Sequence, residues 1–208
     1  MYLNKTPELL KPLASDLVWD LPTTEKVMYV TFDDGPIPEV TPEVLEILKQ
    51  YNAKGTFFCV GNNAALHPEL LKRILAEGHA VGNHTYSHKN GWNTTQFAYL
   101  RDYQKCQDLL GTKLFRPPYG RIKRQQVNAL KKRTRIIMWD VLSGDFDQNI
   151  SPNKCLQNTL KHAKEGSIIV FHDSLKAKDR MLFALPRFLH HFHELGFRFE
   201  AIRPGDIN

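Results

Sequence analysis

The sequence predicts an α/β chain built on a parallel sheet, and three observations predict it. Short β-rich runs alternate with stretches of helical period from about Lys26 onward, the pattern of repeated βα units. Several of these runs are continuously apolar, as strands covered on both faces are. Ionisable side chains gather directly after the runs, at the strand ends where α/β proteins assemble their sites. Seven strands are expected, at 26–31, 56–60, 79–83, 114–116, 135–140, 167–172 and 197–202. The pattern fits either an open doubly wound sheet or an incomplete (β/α) barrel.

Six helices fit between these runs. Thr41 is placed to cap a helix beginning at Pro42, and Ser151 one beginning at Pro152, because proline is tolerated where its missing N–H is not needed. Gly78 and Gly111 stand where C-terminal glycines are expected. In the last helix Leu182, Leu185, Leu189, Phe192 and Leu195 recur at helical period and mark a buried face. His190, His191 and His193 fall off that stripe and read as a polar face. Residues 1–208 are expected to form one domain, with residues 1–25 as an N-terminal extension packed on the barrel.

The chain carries a formal charge of +6 with three cysteines. That charge favours anionic partners, but the densest basic stretch, Lys131, Lys132, Arg133 and Arg135, has no interleaved aromatics for base stacking, so no nucleic-acid partner is expected. Cys59, Cys106 and Cys155 lack CxxC spacing and read as buried free thiols. No apolar run approaches the roughly 18 residues needed to cross a membrane. The N-terminus lacks the pattern of a secretory signal, so a cytoplasmic monomer is expected, with export by another route left open.

The chemistry collects after the strands. The first leads into Asp33-Asp34, the third into His84 and His88, the fourth ends at Arg116, the fifth leads to Asp145 and the sixth ends in His172. Two imidazoles four residues apart on a helical turn would face one metal. Adjacent aspartates divide the labour, since one can bind the metal while the other faces the attacking water. Each feature has a bland reading too: chance supplies about 0.4 HxxxH pairs in a chain with this many histidines, and Asp-Asp-Gly-Pro alone would pass for a turn.

Taken together, TFDDGP (31–36), HTYSH (84–88), RPPYG (116–120), the segment 139–146 and IVFHD (169–173) resemble the five ordered motifs of the polysaccharide deacetylases, carbohydrate esterase family four. The resemblance spans roughly 26–202. It implies a distorted, incomplete barrel of seven or eight βα units. It implies Asp33 as general base, Asp34, His84 and His88 as metal ligands, and Arg116 as the partner that orients the base. It implies Tyr119 as the residue whose backbone N–H receives the oxyanion, His172 as general acid, and Asp145 as the carboxylate that holds it. Pro117, Trp139 and Phe146 are expected to touch substrate. One motif departs from the family pattern DxxDW: Leu142 stands for its first acid and Phe146 for its tryptophan. Asp140 and Asp147 are nearby acids that could substitute. Asp173 is expected to cap the turn that follows it.

The reading is a metal-dependent hydrolase that removes N-acetyl or O-acetyl groups from a carbohydrate, with one divalent metal. Zn²⁺ is expected, and the ligand set also suits Fe²⁺, Mn²⁺ or Co²⁺. Peptidoglycan, chitin-type oligomers, acetylated xylan and a small metabolite are all open as substrates. The alternatives are a non-haem iron oxygenase, which has no use for Asp33, Arg116 and His172 together; a hydrolase of another C–N bond; and a catalytically silent sugar-binding relative.

Overall fold

Among the described residues, 2–207, the computed structural model has eight strands, all parallel. Met1, the first residue of the expected extension, and Asn208 lie outside them. The strands are β1 (Val27–Asp33), β2 (Thr56–Cys59), β3 (Ala80–Asn83), β4 (Leu114–Phe115), β5 (Arg135–Ile136), β6 (Val141–Leu142), β7 (Ile168–His172) and β8 (Arg198–Phe199). Their order is β5-β4-β3-β2-β1-β7-β6. β8 pairs with Val27 and Met28, and the Phe199 carbonyl also accepts from Lys54 N–H, so β8 is wedged in at the N-terminal ends of β1 and β2.

The order shows why the sheet curls. β5 and β6 are its opposite edges, yet only residues 137–140 connect them. Five Cα steps span at most about 18 Å, whereas seven strands about 4.8 Å apart would put flat edges roughly 29 Å from one another. The edges must therefore approach, and the sheet becomes an incomplete barrel. The run expected at 135–140 splits here because its backbone changes partner: Ile137 N–H still bonds to Phe115 on the β4 side, whereas Asp140 N–H bonds to Ile168 on the β7 side.

The remaining seam is covered by the N-terminal segment. Asn4 and Thr6 bond to Leu142 and Asp140, Val18 to Ile136 and Met138, and Leu21 to Gly166. Asp140 is fully buried and takes the ammonium groups of Lys5 and Lys11 and the Ser167 hydroxyl.

Seven α-helices occur among the described residues: α1 (Thr41–Gln50), α2 (Gly61–Leu66), α3 (Pro68–Ala76), α4 (Gln96–Leu110), α5 (Arg124–Leu130), α6 (Pro152–His162) and α7 (Lys178–Glu194). The helix beyond the expected six arises because His67, at φ −127° and ψ 57°, interrupts the chain before Pro68. Ser151 caps α6 by accepting from Lys154 N–H at 3.1 Å, and Gly78 and Gly111 take positive φ after α3 and α4. Thr41 does not cap α1; its hydroxyl is committed elsewhere, as described below. The buried face of α7 is Met181, Ala184, Leu185, Phe188, Leu189 and Phe192. Leu182 is only half-buried and Leu195 is exposed, because the stripe lies about one position N-terminal to the expected one.

Strand alternation sorts the core. Phe57 points outward to the helices, stacking on Phe32 at 4.8 Å, while its neighbour Phe58 points into the barrel with Leu114, Ile137 and Ile168.

Candidate active site

Asp33 ends β1 and is buried. Arg116, at the end of β4, crosses the barrel interior to reach it: Nη1 donates to Asp33 Oδ1 at 2.8 Å and to Thr31 Oγ1 at 2.7 Å. Nε and Nη2 donate to the carbonyls of Ile137 and Met138, and Phe58 lies 4.1 Å beneath the guanidinium. A fully buried guanidinium is thus bonded to carbonyls, a hydroxyl and one carboxylate, which is how a buried charge is tolerated. The same residues explain the break between β5 and β6, since Arg116 takes the carbonyls of 137 and 138.

Asp34 turns away from Asp33 with φ 84°. Its Oδ1 lies 3.2 Å from His88 Nε2 and 3.8 Å from His84 Nε2. Burial acts to raise its carboxyl, but the hydrogen bond from His88 and the charges of His172, His84 and His88 outweigh it and hold it below the usual range.

The histidine pair does not lie on a helical turn. Residues 84–88 form a loop in which Thr85 and His88 have φ 60° and 54°. Short polar contacts stabilise it: Asn83 Oδ1 accepts from Thr85 N–H, and the Asp102 carboxylate on α4 accepts from Tyr86 and Ser87 N–H. Those side-chain bonds outcompete helix formation. Nothing in the chain at Asp102 announces this role. The imidazoles still converge, with ring centroids 5.0 Å apart. His84 Nδ1 donates to the Arg116 carbonyl at 2.8 Å, leaving its Nε2 lone pair directed at Asp34. Burial lowers His84 to about 4, against the pull of Asp33 and Asp34, so the ring is neutral as a ligand must be. His88 Nδ1 lies 3.1 Å from Tyr119 Oη.

His172 ends β7 opposite Asp33. Asp145, fully buried, accepts from His172 Nδ1 and from its backbone N–H, both at 2.7 Å. Burial opposes charge on His172, but Asp145, Asp34 and Asp33 together outweigh it and raise the imidazole to about 9.

Asp173 does not cap the following turn. It reaches back to the β1–α1 loop, where it accepts from Gly35 N–H at 3.0 Å and from the Thr41 hydroxyl at 2.6 Å. Thr41 Oγ1 in turn accepts from Ile37 N–H. A Cβ on Gly35 would stand 1.9 Å from Asp173 Oδ2, so this position requires glycine.

These groups open into one cavity of about 590 Å³, lined on its polar side by Asp33, Asp34, His88 and His172 and on its apolar side by Leu142, Trp139, Phe146 and Val170. Tyr119 and Gly120 form its rim. Pro117 is buried beneath that rim and does not line the cavity; its extended backbone leads into Tyr119, whose φ of 60° makes the turn. Neither suggested acid takes the place of the one missing at Leu142. Asp140 is at the N-terminal end of β7, bonded to Lys5, Lys11 and Ser167, and Asp147 accepts from Tyr2 Oη. Tyr2 itself lines the cavity and packs 5.0 Å from Phe146. No sequence signal pointed to it, because a lone aromatic near the terminus has no motif.

The donor atoms of Asp34, His84 and His88 lie within 4.8 Å of one another. With a neutral His84 whose second nitrogen is tied to a carbonyl, the set suits a divalent cation. The other such group among the described residues, Glu8, Asp20 and Asp140, already surrounds the Lys11 ammonium.

A curled parallel barrel with this site at its C-terminal mouth defines a hydrolase of the carbohydrate esterase type. The polysaccharide deacetylase family model matches residues 20–134, and the chain belongs to that family. It is 32% identical over 199 residues to a peptidoglycan-N-acetylglucosamine deacetylase of Bacillus cereus, covering 89% of this chain and 91% of that one. It is 37% identical over 154 residues to the chitooligosaccharide deacetylase of Azorhizobium caulinodans, covering 70% and 73%. The solved structure of the peptidoglycan N-acetylglucosamine deacetylase Bc1960 superposes with a TM-score of 0.86 at 32% identity, over 95% of each chain.

Proposed function

We propose that this chain hydrolyses the N-acetyl group of an N-acetylglucosamine-containing glycan of the peptidoglycan or chitin type, with Zn²⁺ held by Asp34, His84 and His88. Family membership makes it a carbohydrate deacetylase. The observation that carries the mechanism is that Asp33, bonded to Arg116, and His172, bonded to Asp145, stand opposite each other at the ends of the adjacent strands β1 and β7, beside the ligand candidate Asp34. A cation held there supplies Lewis acidity, lowering the pKa of water and polarising the acetyl carbonyl.

Asp33 removes a proton from the attacking water, and Arg116 fixes its carboxylate by holding one oxygen. The backbone N–H of Tyr119 donates to the oxygen that becomes negative in the tetrahedral intermediate. His172, kept protonated by Asp145, gives its proton to the amine nitrogen, without which an amide nitrogen leaves very poorly. Trp139, Phe146, Leu142 and Val170 shelter the acetyl methyl group from water.

Mass spectrometry of products from a panel of N-acetylated chitooligosaccharides, peptidoglycan fragments and O-acetylated xylan tests this reading. Free amines on the first two substrates are expected. Release of acetate from xylan alone would overturn the N-deacetylase assignment.

A further inference from the structure

We propose that the side chain of Tyr119 is a positioning residue for the metal site: its hydroxyl accepts a hydrogen bond from His88 Nδ1–H and so fixes the tautomer and the aim of that imidazole. The proposal rests on the metal-site reading above and deepens it, since the role already given to Tyr119 uses only its backbone N–H.

An imidazole that offers one nitrogen to a cation carries its proton on the other, and that N–H needs an acceptor to set the ring's orientation. His84 has a backbone one: in the buried interior its Nδ1 faces the Arg116 carbonyl at 2.8 Å. His88 has no carbonyl or carboxylate at that nitrogen among the described residues. Its Nδ1 instead meets Tyr119 Oη at 3.1 Å, with the tyrosine ring edge-on to the imidazole at 4.6 Å. Its Nε2 lies on the ligand side, 3.2 Å from Asp34 Oδ1. Both histidines therefore turn Nε2 toward Asp34 and hold Nδ1 from behind, but one is held by the main chain and the other by a side chain.

The backbone is shaped to bring that hydroxyl there. Tyr119 and Gly120 take consecutive positive φ, 60° and 64°, a conformation that is costly for tyrosine. A Cβ on Gly120 would stand 2.5 Å from the Trp139 ring, so the turn is also pinned from the cavity wall. The Tyr119 ring stays exposed, and burial of the ring does not account for the strained turn; the bond to His88 does. One residue thus sets two groups at once, the main-chain N–H that faces the oxyanion and the imidazole of a ligand. His88 itself sits in the loop 84–88 at φ 54°, where no helix holds it, so a partner outside that loop has more to fix than it would on a rigid element.

The test is the zinc affinity of the full chain, measured by competition with a chelating indicator. Tyr119→Phe removes the hydroxyl and keeps the ring and the backbone N–H, and it should weaken zinc binding by about 10-fold, the lower end of what losing such a partner costs, because the His88 side chain is 27% exposed and water takes up part of the bond. Tyr119→Ala should weaken it by a similar factor. In zinc-loaded protein, nitrogen-15 NMR of the imidazoles should show the His88 Nδ1–H protected in wild type and exchanging with water in Tyr119→Phe, with the His84 Nδ1–H protected in both. Equal zinc affinity in wild type and Tyr119→Phe would overturn the proposal and leave the metal site standing. A loss confined to Tyr119→Ala would overturn it too, since the ring and not the hydroxyl would then hold His88. Wild-type protein that binds no zinc would sink the metal-site reading and this proposal with it.

Discussion

Arg116 and Asp33 meet at 2.8 Å although two strands, β3 and β2, lie between theirs in the sheet. In a flat sheet that gap is about 14 Å, so the contact exists only because the sheet curls, and the ion pair reports on fold and site at once. Arg116→Met should leave Asp33 buried without its partner and destabilise the chain by about 3–5 kcal/mol, seen as a loss of roughly 6–20 °C in Tm. Lysine should not rescue it, because one ammonium cannot reproduce the fork of guanidinium bonds. Calorimetry checks this; a Tm unchanged in Arg116→Met would mean that the pair contributes nothing to the barrel.

Asp33→Asn should keep its metal, since the ligand cluster lies on Asp34, His84 and His88, yet lose about 10²–10⁴-fold in rate, the usual worth of a placed general base. Elemental analysis beside kinetics decides it. Metal lost along with activity would show the two aspartates to be assigned the wrong way round.

The rate should fall at high pH as His172 loses its proton, because Asp145 and the site carboxylates hold that imidazole up at about 9 against burial. Replacing Asp145 by Asn removes the largest charge that raises it, so the descending limb should move to lower pH. A bound cation acts on both proteins alike, and the comparison cancels it. His172→Ala should slow amide substrates far more than activated esters, whose leaving groups need no proton; equal losses would mean that His172 does not act as the acid.

Asp173→Ala should strand the Gly35 N–H and the Thr41 hydroxyl in the interior, at about 1–3 kcal/mol for each unmade bond, while Asp173→Asn can keep the Gly35 bond through its oxygen and replace the second by donating its amide N–H to Thr41 Oγ1. Burial raises Asp173 to about 8, so the folded chain retains a proton that the unfolded chain releases near pH 4. Its contribution is therefore fully present below about pH 4 and declines as pH climbs toward 8. Denaturant titrations should show Asp173→Asn gaining on the wild type as pH rises across that interval. A constant difference would mean that Asp173 is ionised throughout.

The strands and the site's polar residues were legible because period, strand-end position and motif order all speak at short range. Asp33, Asp34, His84, His88, Arg116, Asp145 and His172 lie close together at the C-terminal ends of the strands. What escaped depends on contacts between distant segments. The split of 135–140 into two edges follows from Arg116 taking the carbonyls of Ile137 and Met138. Asp102, which lies outside every motif, sets the histidine loop in place of the expected helical turn. Tyr2 enters the cavity only because the N-terminal segment pairs with the barrel seam. Pro117 illustrates the converse: it stands inside a motif, but the turn at Tyr119 leaves it below the rim.

The central claim is that Asp34, His84 and His88 hold one metal ion on which deacetylation depends. It is tested most directly by stripping the protein with a chelator and titrating Zn²⁺ back while following acetate release from an N-acetylated chitooligosaccharide, with bound metal measured in the same samples. Activity should return in proportion to metal and saturate at about one equivalent per chain, as a site of three protein ligands requires, and His84→Ala should recover neither. Full activity in the stripped protein, or full metal and full rate in His84→Ala, would contradict the account.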